Sequence, residues 1–134
     1  MKSQRFGIEI EMTGLTRRSA ALIIAKHFDT GFRHERGVYD TYSVCDQDGR
    51  KWKIVRDASI TPQCGNRFDY DPDYKVEVVS PICHYEDIET IQSIVRELRR
   101  NGHAKVNESC GIHIHVDASK HTARSLRNIA NIMY

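Results

Sequence analysis

Three runs of this chain alternate between aliphatic residues and groups that carry charge or bind metal. In FGIEIEM, Phe6, Ile8, Ile10 and Met12 take one parity, while Gly7, Glu9 and Glu11 take the other. In YKVEVVSP, Glu77 stands between Val76 and Val78. In CGIHIHVDAS, His113, His115 and Asp117 alternate with Ile112, Ile114 and Val116. Successive side chains of a strand point to opposite faces, so each run is a strand with one aliphatic and one chemically active side. A fold that joins the three must bury one face of its sheet and leave the other lined with carboxylates and imidazoles.

The segments between these strands supply the cover. Thr16 is a helix N-cap, and the helix it opens runs to about Phe28 with Ala21, Ile24 and Phe28 on one stripe. A second helix runs from about Glu86 to Arg100, with Ile88, Ile91, Val95 and Leu98 as its buried stripe. Acids at its start and arginines at its end suit the helix dipole, and Asn101-Gly102 closes it. GVYDTYSVCD and RKWKIVRD, separated by Gln47-Asp48-Gly49, form a hairpin. Residues 58–73 carry Pro, Gly, Asn and Asp without periodicity and read as a long functional loop. A last helix starts near Ser119 or Thr122 with Ala123, Leu126, Ala130 and Met133 on its stripe, and this pattern is still running at Tyr134. The fold class that follows is α+β: an antiparallel or mixed β-sheet with helices packed on one face.

If the aliphatic faces meet the helices, Glu9, Glu11, Glu77, His113, His115 and Asp117 converge on the opposite side. So many like groups in one place repel or demand pairing unless cations hold them. Carboxylates are hard oxygen ligands for magnesium or manganese, and manganese also accepts imidazole. Asp57 and Ser59, where RKWKIVRD runs into the long loop, stand where substrate or phosphate contacts are made.

Size and composition exclude other classes. At 134 residues the chain is a single domain, 1–134. A net charge of +2 gives no electrostatic case for nucleic acid, and the basic residues Arg96, Arg99, Arg100, Lys120, Arg124 and Arg127 fall on solvated helix faces. No apolar run is long enough for a signal peptide or a membrane span, which points to a cytoplasmic chain with no membrane partner. Cys45, Cys64, Cys83 and Cys110 are far apart, with no CxxC pair, and read as reduced thiols.

The motifs FGIEIEMTG, WKIVRDASI, YKVEVVSPI and CGIHIHVDAS, in that order, resemble the amidoligase family of carboxylate–amine ligases, relatives of glutamine synthetase and glutamate–cysteine ligase. The resemblance spans nearly the whole chain, which corresponds to the N-terminal half of a glutamine-synthetase-like catalytic domain. It implies ATP-dependent formation of an amide or peptide-like bond between small-molecule or peptide carboxylate and amine substrates. ATP phosphorylates the carboxylate, and the amine then displaces phosphate from the acyl phosphate, assisted by Mg2+ or Mn2+. Carried over by motif, Glu9, Glu11, Glu77 and His113 are metal ligands, and His113 and His115 contact metal or nucleotide phosphate. Asp57, Ser59 and His115 lie at the reacting groups.

Two departures qualify the match. Position 58 is Ala where the family pattern has glycine, and the arginine-bearing later strands of the relatives fall outside this span. The site would then be completed by a second chain, a homo-oligomer being one form of it. Two other readings stand beside the ligase: a non-catalytic metal-binding or assembly remnant of the fold, and a metal-dependent hydrolase or oxygenase using His113, His115 and one glutamate.

Overall fold

The computed structural model describes residues 3–133. Among these residues, eight strands and three α-helices follow one another as β1 (Phe6–Met12), α1 (Arg17–His27), β2 (Phe32–Arg36), β3 (Thr41–Cys45), β4 (Lys51–Val55), β5 (Gln63–Cys64), β6 (Arg67–Phe68), β7 (Val76–Val79), α2 (Ile88–Gly102), β8 (Ile112–Val116) and α3 (Ala123–Met133). Six strands form one sheet in the order β2-β3-β4-β7-β1-β8, antiparallel at every pairing. The chain is α+β, as the alternation requires.

Register decides what each face carries. Ile10 lies opposite Val78 on one side and Ile112 on the other, and Val78 in turn faces Ile54. Val44 faces Trp52 in the next pair. These aliphatic positions point to the side on which α1 packs against β3 and β4. The small residues Ala20, Ala21 and Ala25 on the buried stripe of α1 let it lie close to the sheet, and Ile24 fills the gap between them. Thr16 caps α1, its side chain accepting from the Ser19 N–H. α2 packs on α1 and adds Ile91, Ile94 and Leu98 to the same core.

Several expectations are corrected. α2 buries Ile94 rather than Val95, and Ile88 is also exposed, because its contact line with α1 runs through Ile91, Ile94 and Leu98. The helix ends one residue later than Asn101-Gly102 suggests. His103 adopts the left-handed conformation (φ 59°), while a Cβ at Gly102 would stand 2.8 Å from Ile23 and Leu15 side-chain carbons, so that glycine serves close helix packing. Residues Gly37–Asp40 belong to the β2–β3 connection and not to a strand. The β3–β4 turn spans Asp46 to Arg50, organised by the Asp46 carboxylate, which accepts from the backbone of Asp48 and Arg50.

The segment 58–73 is also more ordered than its composition suggests. It contains the β5–β6 hairpin and runs into a 3-10 turn at Pro72–Tyr74. Thr13 exchanges hydrogen bonds with Gln63, and the Asn107 amide donates to Thr61 and Gln63. A buried Arg17 holds the turn in place, donating to Pro72 and Lys75 carbonyls and pairing with Asp73 and Asp40.

α3 buries none of its residues, so the expected stripe of Ala123, Leu126, Ala130 and Met133 has no cover among the described residues. Asp117 fixes the turn before it by accepting from the Ser119 N–H and pairing with Arg5. Tyr134 lies outside the described residues. No helix among them is long and apolar enough to cross a membrane. The four cysteines form no disulfide.

Candidate metal centre

The face opposite α1 collects the charged parity of each strand. Glu11 lies directly across from Glu77, and Glu77 across from Val55, the last residue of β4. Glu9 lies across from His113, and Gly7 from His115. Register thus brings β1, β7 and β8 carboxylates and imidazoles together, while Asp57 arrives from the strand end two residues beyond Val55.

Two groups of donors result. One ligand atom each from Glu9, Glu77 and His113 lie within 4.8 Å of one another, and so do those of Glu11, Asp57 and Glu77. Glu77 belongs to both. Each group has the spacing a single divalent ion needs, and oxygen donors dominate, with one imidazole at the β8 side. That donor chemistry fits magnesium or manganese.

The surrounding bonds orient these groups. Glu11 is buried, and its Oε2 accepts from the Gly111 N–H at 2.7 Å, leaving Oε1 turned toward His113, whose Nε2 is 4.0 Å away. Glu9 Oε2 lies 3.2 Å from both His113 Nδ1 and His115 Nε2. Asp57 Oδ1 accepts from the Ser59 N–H at 2.7 Å and from its hydroxyl at 2.6 Å.

Protonation follows these contacts. The hydrogen bond with His115, reinforced by His113, holds Glu9 below the usual carboxylate range despite partial burial. The Ser59 hydroxyl, and then its backbone N–H, do the same for Asp57. Glu77 goes the other way. Burial first, and then repulsion from Glu9, Asp57 and Glu11, push it up to about 7. A carboxylate raised by its neighbours is one that a bound cation would bring back to the ionised form.

Glu9, Glu11, Glu77, His113 and Asp57 therefore meet in one place. His115 reaches Glu9 but stands outside both donor groups, and Ser59 acts on Asp57 instead of facing the cluster. Asp117 departs from the group that alternation gave it. It lies just past β8, is held to about 2 by the Ser119 backbone and then Arg5, and forms a surface ion pair. Gly111 was not singled out by sequence, because a backbone N–H leaves no mark in a motif beyond the glycine itself.

The family model described as "Putative amidoligase enzyme" matches residues 2–134. The chain belongs to this family. Its description supports a ligase-type enzyme in general terms. Comparison with curated proteins and with solved structures finds no match.

Proposed function

We propose that this amidoligase-family chain works as an ATP- and Mg2+- or Mn2+-dependent carboxylate–amine ligase, making an amide or peptide-like bond through an acyl phosphate. The observation that carries the reading is the pair of donor groups sharing Glu77 on one open face. Two adjacent cations would offset the charge of a polyphosphate and of the group being transferred.

Within that reading the residues have distinct tasks. Glu9, Glu11, Glu77 and His113 hold the cations, and Asp57 completes the second group with Ser59 fixing its carboxylate. His115 positions Glu9 and faces the open side, where the nucleotide would approach. In the reaction the γ-phosphoryl group passes to a carboxylate oxygen and ADP leaves. The amine nitrogen then attacks the acyl carbon, the C–O bond to phosphate breaks, and the amine gives up a proton. Completion of the site by a second copy of the chain is part of the proposal, as is a cytoplasmic setting.

Isothermal titration with manganese and a non-hydrolysable ATP analogue tests it. Wild type should bind the analogue only with manganese present, and Glu9→Ala and His113→Ala should each weaken manganese binding by about tenfold or more. Nucleotide binding that ignores both substitutions overturns the placement of the site. Manganese-dependent hydrolysis of an amide or ester without nucleotide overturns the ligase reading in favour of a hydrolase.

A further inference from the structure

Gly7 lies in the interior of β1, on the face that carries Glu9 and Glu11 and directly across from His115. A glycine inside a strand weakens it and marks a bulge, a bend or a close approach by another group. The β1–β8 register runs unbroken from Phe6↔Val116 to Ile10↔Ile112, and on the other side the extra residue of the slip between Glu9↔Val79 and Phe6↔Cys83 belongs to the Ser80–Ile82 segment, so Gly7 is not itself a bulged residue. Gly7 is not among the residues with positive φ, so the backbone does not call for glycine either. Packing makes no demand: a Cβ at position 7 would meet only the His115 Cβ, at 4.0 Å, an ordinary contact.

The missing side chain instead opens part of a cavity of about 380 Å³. Glu9, His115 and Ser80 are polar members of its lining, the Ser80 hydroxyl being taken up by the Ile8 N–H and the Pro81 carbonyl, and Val79, Pro81 and Ile82 form an apolar wall. Ile82 is a large aliphatic residue left 63% exposed there. Arg5 and Asp117 also border it, but they neutralise each other through a 2.6 Å contact. Glu9 is occupied by two imidazoles. A cavity with paired charges and an aliphatic wall suits an uncharged group of ring size. It is also joined to the candidate metal centre, because Glu9 belongs to both, and two residues along a strand span only about 6.6 Å.

We propose that the cavity over Gly7 receives the nucleobase of a nucleoside triphosphate whose phosphates rest on the cation at Glu9, Glu77 and His113, with Gly7 setting the size of group admitted. This rests on the metal and nucleotide reading above. The Gly7 position leaves the donor atoms untouched, so the base end of the ligand can be tested apart from its phosphate end.

The experiment compares wild type, Gly7→Ala and Gly7→Leu in manganese-containing buffer, by isothermal titration with a non-hydrolysable ATP analogue and with inorganic triphosphate. Triphosphate should bind all three proteins alike. The ATP analogue should weaken progressively from Gly7→Ala to Gly7→Leu, by about tenfold or more in the latter. An unchanged affinity for the analogue overturns the proposal. So does equal weakening of both probes, because the substitution would then disturb the strand and not a base pocket; the Ala variant, whose Cβ has room, guards against a Leu variant that fails to fold. Failure of the underlying reading looks different: wild type itself then binds neither probe in a manganese-dependent way, and both proposals fall.

Discussion

β4 and β8 carry the same alternation and meet opposite fates. In β4, Trp52 and Ile54 are 2% and 0% exposed. In β8, Ile112 and Ile114 are both 63% exposed, although they take the same parity and point to the same side of the same sheet. The difference lies in what is stacked on each strand. α1 covers β3 and β4 in the middle of the sheet, whereas β8 is an edge strand beyond its reach. Alternation fixes which way a side chain points; the neighbouring layer fixes whether that direction is dry.

Truncating one isoleucine from each strand measures the contrast most directly. Ile54→Ala should cost about 2–5 kcal/mol, as a cavity in a closed core does. Ile114→Ala should cost well under about 1 kcal/mol in urea denaturation, because its side chain already meets water. Comparable losses in the two variants would break the comparison and show that β8 is covered in solution.

Arg17 sharpens it from the covered side. Its side chain is 2% exposed and serves two aspartates and three carbonyls. Arg17→Met should lose about 3 kcal/mol or more of stability, since the carbonyls and carboxylates around it lose their donor. A loss under about 1 kcal/mol would mean that the loop before β7 holds without the clamp.

On the charged face the effect depends on pH. Glu77, raised to about 7, binds its proton more tightly in the folded chain than in the unfolded one. Stability of the metal-free protein should therefore be highest below about pH 4.5 as far as this group is concerned, and fall as pH rises toward 7, by up to about 3 kcal/mol. Glu77→Gln should remove that slope and be the more stable protein at pH 8. Saturating manganese should flatten the slope in wild type. A slope that survives in Glu77→Gln would assign it to other groups. The smallest effect is expected at Asp117→Asn, whose exposed ion pair with Arg5 should leave the urea midpoint almost unchanged.

Much of this was legible because parity is a local property. The faces of β1, β7 and β8, the Thr16 cap and the stripe through Ile91 and Leu98 follow from residues a few positions apart. What could not be read depends on pairing between distant segments. That Glu11 faces Glu77, and that Asp57 closes a second donor group, follows from the β1–β7 and β4–β7 registers, which no single motif encodes. β2 was missed because FRHER offers only Phe32 to the core. Asp117 continued the alternation in sequence, yet the strand had already ended and Arg5 was the nearer partner.

The edge position of β8 has a further consequence for His113. Among the described residues that strand pairs with β1 alone, so it should be among the first parts of the sheet to open in local fluctuations. The proposed cation, with one ligand from β8 and the others from β1 and β7, would be a bolt across that seam. By mass action, occupancy and closure of the strand favour each other. Amide hydrogens of Ile112 to Val116 should exchange more slowly when manganese is present, while those of β3 and β4 should not change. Metal affinity in this chain would then be set partly by how often its outermost strand lets go.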